Sequence, residues 1–166
     1  GMPLGGGATR DLTIDDAEAI RRAAGVIDAA PLSLGASRFE FGGYSRDVYV
    51  VGTTRSYFDI RDLELASGQG LPVGDPRRGE RVVVIGHTLM REVFRGVPAL
   101  GQPVRIGQSR FRVIGVLAPR GRALGIDIDE MALVPVATGL RMFDQSSLHR
   151  IVAEAPIAQT AQDVTE

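Results

Sequence analysis

A short run of consecutive apolar residues, 82–85, is the feature that most constrains the fold. Alternate residues of a strand face opposite sides of a sheet, so this run predicts a strand that is buried on both faces. After Gly86, the apolar residues recur at the spacing of a helix, at Leu89, Met90, Val93 and Phe94. The sequence therefore predicts a buried strand, a turn and a helix, which must pack inside a larger sheet.

Two pairs of alternating segments predict β-hairpins. Residues 37–41 and 44–51 flank Gly42 and Gly43, which can adopt the positive φ that a two-residue turn requires. The second hairpin is predicted for 102–106 and 110–117, turned at residues 107–108. Further strands are expected at 26–34, 131–134 and 148–155, a short turn at 57–60, and helices at 14–24, at 135–143 and from 159 onward.

Composition excludes several classes of function. Nineteen basic and twenty acidic side chains nearly cancel among the 166 residues. The broad positive field of a nucleic-acid-binding protein is therefore not expected. The chain has no cysteine and no lysine, which excludes disulfides, thiolate metal sites and a Walker lysine. The apolar runs are far shorter than the ~20 residues that cross a bilayer. Residues 1–10 are expected to be a cloning remnant and a flexible lead.

Four segments of the middle of the chain, in their order and spacing, resemble the MacB-like periplasmic core domain. They are the apolar strand and glycine at 82–86, and the segments 93–96, 100–107 and 111–117. Earlier segments are also similar to this family, namely the helix that Thr13 caps and residues 50–54. The resemblance extends from about Leu12 to about Ala155.

The resemblance implies an α+β fold of two lobes. Residues 11–79 and 148–166 would form a porter-like α/β sandwich lobe, C-terminally incomplete. Residues 80–147 would form an inserted, mixed α+β lobe with β-hairpins. Members of the family lie between the first two membrane helices of an FtsX-type ABC transporter permease. The expected location is therefore the periplasmic or extracellular face of the bacterial inner membrane.

The resemblance also implies a function without chemistry of its own. The domain would relay ATP-driven motion of the membrane helices to a substrate or a partner protein outside. Its partners would be the membrane helices and ATPase of the same transporter, together with a periplasmic adaptor protein or the transported substrate. The isolated domain is expected to be monomeric and the parent dimeric. No cofactor, metal or catalytic residue is expected.

A charged, glycine-containing loop is the candidate partner contact, because polar loops on rigid scaffolds often carry recognition. Its charged residues are Arg120, Arg122, Asp127 and Asp129. An ordinary solvated loop remains an alternative interpretation. Asp127, Asp129 and Glu130 could together bind a hard cation, although the loop lacks the further ligands and the glycine of an EF-hand.

Other patterns give little support for an enzyme. His87 and His149 are far apart and outside any metal-binding spacing. The serines Ser33, Ser45 and Ser109 are outside a G-x-S-x-G motif. Two alternatives remain open: a stand-alone extracytoplasmic ligand-binding or adaptor module, and a metal-dependent hydrolase that uses the three acidic residues of the loop.

Overall fold

A long antiparallel hairpin forms the centre of the fold. The computed structural model describes residues 11–120, 122–123 and 126–156 of the chain. Its helices are α1 (Ile14–Arg21), α2 (Arg55–Ile60), α3 (His87–Phe94) and α4 (Val136–Met142), with a 3-10 helix at Ile128–Glu130. Its strands are β1 (Asp28–Phe41), β2 (Tyr44–Thr53), β3 (Leu65–Gly68), β4 (Val82–Ile85), β5 (Pro103–Ile106), β6 (Ser109–Leu117), β7 (Arg122–Ala123), β8 (Ile126–Asp127), β9 (Ala132–Pro135) and β10 (Arg150–Glu154).

Most of the predicted elements are confirmed, including both hairpins and the helix that follows the buried strand. The capping box of α1 is also present, since the Thr13 hydroxyl accepts from the Asp16 amide and the Asp16 carboxylate accepts from the Thr13 amide. The predicted turn at 57–60 is instead part of helix α2. The helix expected from residue 159 lies outside the described residues.

The two strands predicted on either side of residue 35 are one strand, β1, of 14 residues. Its first part, through Leu32, pairs with β10, and the rest, from Ser33, pairs with β2. Proline lacks an amide hydrogen, but the first part of β1 has only one neighbouring strand, so one edge needs no ladder donor. Pro31 is therefore compatible with an unbroken strand.

Six strands form a closed ring of hydrogen-bonded neighbours. Beginning at β1, the order is β1, β2, β9, β4, β6 and β5, and β5 pairs with β1 again. The pairs β2–β9 and β4–β6 are parallel and the other ring pairs are antiparallel. Strands β10 and β3 extend the ring outward from β1 and β6. A ring of this kind leaves few open strand edges.

The fold is α+β with a core dominated by the sheet. Strands β1 and β2, from residues 11–79, and strands β9, β4, β6 and β5, from residues 80–147, share one ring, because β2 pairs with β9 and β5 pairs with β1. The division into a lobe of 11–79 with 148–166 and an inserted lobe of 80–147 stays a prediction. None of the helices in the described ranges is long and apolar enough to cross a membrane.

The largest hydrophobic cluster fills the inside of the ring, and α3 packs against it. Phe94 of α3 lies edge-on to Phe39, with 6.4 Å between ring centroids, and stacks on Phe41 at 4.3 Å. Strand β4 contributes Val83 and Ile85 to this cluster, whereas Val84 faces a second cluster on the other side of the sheet. The run at 82–85 is thus buried on both faces, as its sequence predicts.

Helix α4 crosses β2 at very short range, because both elements have glycine at the contact. A Cβ on Gly139 would lie 3.1 Å from the Gly52 Cα, and a Cβ on Gly52 would lie 3.2 Å from the Gly139 Cα. Ser33 of β1 is buried in the same contact. Since no side chain separates these backbones, α4 is held firmly against β1 and β2.

Candidate partner-contact site

The predicted contact loop is a small, anchored projection. Strands β7 and β8 form a two-stranded ribbon in which Arg122 is opposite Asp127. The ribbon is fixed at its base, where the Arg120 amide donates to Asp129 Oδ1 at 2.8 Å. The Arg120 guanidinium also donates to the carbonyl oxygen of Asp62 at 2.7 Å. The backbone of the loop is therefore tied both to itself and to the turn after α2.

Gly86 lets the backbone of the loop pack directly against the end of β4. A Cβ at this position would lie 2.3 Å from the Asp129 carbonyl oxygen and 2.4 Å from the Ile128 carbonyl oxygen. The Gly86 amide donates to the Met131 carbonyl oxygen at 2.9 Å. Only glycine permits this approach, so the end of β4 determines where the 3-10 helix and the adjoining ribbon lie.

Arg46 links the base of the site to α3. Its guanidinium lies 3.0 Å from Glu92 Oε1 and 3.2 Å from Glu130 Oε1. All three side chains are substantially exposed, so these ion pairs orient the groups more than they stabilise the fold. The sequence analysis missed Arg46, and nothing in the local pattern around β2 shows that it reaches Glu130.

A groove of about 470 Å³ lies beside the loop on the outer face of β1 and β2. Asp127 and Glu130 line its loop side, and Tyr49, which is 60% exposed, lines its strand side. The sequence analysis also missed this groove. The alternation of β2 contains the signal, because Val48 and Val50 face the core and Tyr49 must then face outward.

The structure brings together only part of the predicted site. Arg120 and Asp129 are in direct contact, while Arg122 and Asp127 are opposed across the ribbon through their backbones. Nothing is described of the Arg122 side chain. In the described ranges, no three histidine, aspartate or glutamate side chains form a group that could hold a metal ion.

The remaining candidate residues lie apart from one another. His87 is the first residue of α3, behind the N-cap Gly86, and His149 is exposed at the rim of the groove. Ser33 is 1% exposed, and its hydroxyl has no hydrogen-bond partner among the described residues. Its Oγ lies at the close contact of Gly52 and Gly139, and the residue also lines the groove.

Replacing Asp129 by alanine is expected to loosen the loop while the fold persists. The Arg120 amide would lose its carboxylate acceptor, which is worth about 1 kcal/mol at an exposed position. Hydrogen exchange of the Arg120 amide should become several-fold faster. Asp47→Ala, which removes an exposed carboxylate from β2, is the matched control and should leave that amide unchanged. Equal exchange rates in the two variants would contradict this account of the loop.

The sheet that closes on itself and the anchored polar loop define a sheet-dominated α+β domain. The family model of the MacB-like periplasmic core domain matches residues 1–166, and the chain belongs to this family. It is thus the extracytoplasmic domain of an ABC transporter permease.

Curated relatives agree with this assignment. The macrolide export ATP-binding/permease protein MacB of Syntrophobacter fumaroxidans is 36% identical over 140 residues, which is 81% of this chain and 19% of the relative. The pyoverdine export protein PvdT of Pseudomonas entomophila is 32% identical over 135 residues, 80% of this chain and 21% of the relative. The chain spans about a fifth of the length of these proteins.

Solved structures show the same fold at low sequence identity. The periplasmic region of MacB from Actinobacillus actinomycetemcomitans matches with a TM-score of 0.79 and 22% identity, over 95% of this chain and 72% of that one. The extracellular domain of the transporter YknZ from Gram-positive bacteria matches with a TM-score of 0.75 and 19% identity, over 93% and 77%.

Proposed function

We propose that this domain moves as one rigid body and relays the ATP-driven motion of its permease to a substrate or partner protein outside the membrane. The single observation that carries this proposal is that both ends of the described chain are tied to the same side of a closed sheet. The Leu148 amide donates to the Leu12 carbonyl oxygen at 2.9 Å, and the Ile27 amide donates to the Glu154 carbonyl oxygen at 2.7 Å.

Force that enters through both ends would therefore act on β1 and β10 together. Because β1 belongs to the ring, the displacement passes to every strand without a hinge between them. A relay needs such a stiff body, since a flexible domain would absorb the motion of the membrane helices. The export substrates named for the relatives, macrolides and pyoverdine, make export the direction of transport that we propose.

The experiment uses the complete permease that contains this domain, in lipid vesicles, with one spin label on each protomer. The described domain has no cysteine, so Val97→Cys, at an exposed position, gives a unique site within it. We expect the distance between the labels of two protomers to change when ATP is added. An unchanged distance, or the lack of any pair distance, would refute a relay between two paired domains.

A matched measurement separates rigid motion from deformation. The pair Val73→Cys with Val97→Cys places two exposed labels in one domain. Measured in the isolated chain, and in mixed permease dimers with only one labelled protomer, its distance should be the same with and without ATP. A change within one domain would contradict the rigid body. The groove beside Tyr49 supports the alternative of a stand-alone ligand-binding module. Such a module would show no response to ATP in either measurement.

A further inference from the structure

The outward face of the β5–β6 hairpin carries three exposed arginines that the proposed relay does not use. We refer to them as the arginine ladder: Arg105, Arg110 and Arg112. The residues next to them along both strands point into the ring and are buried, among them Val104, Phe111 and Val113. The alternation of both strands therefore fixes the three arginines on the side away from the core.

The ladder places like charges directly opposite each other. Arg105 of β5 is the register partner of Arg110 of β6, and Cβ atoms of such partners are about 5 Å apart. Arg112 follows Arg110 by two residues on the same face, about 7 Å along the strand. Opposed like charges destabilise a hairpin, so the fold itself gains nothing from this arrangement.

One carboxylate, that of Glu40, lies beside the ladder on the neighbouring strand. Glu40 is the register partner of Arg105 on β1, but the ion pair that it forms is with Arg38, at 4.0 Å. In the described ranges, none of the three ladder arginines takes part in an ion pair. The whole chain has a net charge of −1, so the positive charge of this face is a local concentration.

We infer that the arginine ladder is a docking surface for an extended acidic segment of an extracytoplasmic protein, with carboxylates on alternate residues. A guanidinium group donates two parallel hydrogen bonds to one carboxylate, which makes arginine better suited to this contact than lysine. An extended chain repeats its side chains on one face about every 7 Å, which is the spacing from Arg110 to Arg112. Charge and spacing therefore select the same kind of partner.

The position of the ladder disfavours the other anionic surface, the membrane. This step rests on the proposed function, in which both chain ends lead toward the membrane. Asp28, at the start of β1, pairs with Glu154 near the end of the described chain. Glu40, beside Arg105, lies twelve residues further along the same strand, which is up to about 40 Å away. The ladder thus lies near the opposite end of β1 from the chain ends.

The test measures binding of a fluorescent peptide of alternating glutamate and threonine to the isolated chain at low ionic strength. The ladder variant is Arg105→Gln/Arg110→Gln/Arg112→Gln, and Arg22→Gln/Arg91→Gln/Arg150→Gln removes the same charge from exposed arginines elsewhere. We expect the ladder variant to lose about tenfold in affinity and the control less than about twofold, because only the ladder contacts the peptide. Equal losses, or no binding by the unmodified chain, would overturn the inference.

Two further probes define the occupant. A peptide of the same composition with its glutamates in one block should bind several-fold more weakly, because only part of its carboxylates can face the ladder. Vesicles of one part phosphatidylglycerol to three parts phosphatidylcholine should not bind the chain measurably. Ladder-dependent binding to these vesicles without binding to the peptide would make the membrane the occupant and refute a protein partner.

A stability measurement tests the repulsion between Arg105 and Arg110 independently of peptide binding. Removing the charge of Arg110 should raise the urea midpoint, so Arg110→Gln is expected to be more stable than the unmodified chain, whereas Arg105→Gln also loses its attraction to Glu40 and should gain less. The double variant should gain less than the sum of the two, because the repulsion is lost only once. A lower midpoint in both single variants would show that the arginines stabilise the hairpin and would overturn the argument that they serve binding. This test needs no transporter, so it can fail while the relay stands.

Discussion

Replacing Phe39 by alanine is expected to destabilise the domain by about 3–5 kcal/mol, the largest loss that one side chain inside the ring should cause. Phe39 is fully buried in the cluster that fills the ring, and it meets the edge of Phe94 from helix α3. Alanine would leave a cavity that a closed ring of strands cannot collapse to fill. Urea unfolding should show a lower midpoint with an unchanged slope.

The control is a large aromatic residue on the neighbouring strand that faces the other way. Tyr49 of β2 is 60% exposed, so Tyr49→Ala should change the free energy of unfolding by no more than about 0.5 kcal/mol. Similar losses in the two variants would mean that the inside of the ring is not the main core. Because Tyr49 lines the groove, the same variant also shows whether the groove can be altered without harm to the fold.

Local patterns predicted most of the regular elements, but not the short elements α2, β3, β7, β8 and the 3-10 helix. The glycine pair at 42–43 and the apolar run at 82–85 each determine a local structure through backbone freedom or burial, and the structure has both. Segments 26–34 and 37–41 were predicted as two strands, but they form one strand, β1, whose partner changes from β10 to β2 between Leu32 and Ser33. No local pattern contains the position of β10.

The closure of the ring could not be predicted from the sequence for the same reason. It depends on pairings between distant strands, such as β5 with β1 and β2 with β9, which only tertiary packing selects. The candidate site shows this limit too. The charges of the loop were visible in the sequence, but the reach of Arg46 to Glu130, 84 residues away, and the groove beside Tyr49 were not.

Replacing Gly86 by alanine is expected to lower the free energy of unfolding by about 2–3 kcal/mol and to displace the candidate contact loop from the end of β4. Gly86 has a φ of −71°, which alanine adopts easily, so the backbone conformation itself is no obstacle. The obstacle is contact, because the new Cβ would overlap the carbonyl groups of Ile128 and Asp129. Backbone atoms have no rotamer by which to move aside, so β4 and the 3-10 helix must separate.

Gly96→Ala is the matched control for this second prediction, because its cost has a different cause. Gly96 has a φ of +91° and open space around it, so alanine there costs about 1 kcal/mol of backbone strain with no displaced neighbour. Hydrogen exchange of the Arg120 amide should accelerate in Gly86→Ala and stay unchanged in Gly96→Ala, since only Gly86 supports the segment that holds Asp129. Gly86→Ala could instead lose stability while the Arg120 amide stays protected. That result would mean that the bond from the Arg120 side chain to Asp62, and not the packing at the end of β4, holds the loop.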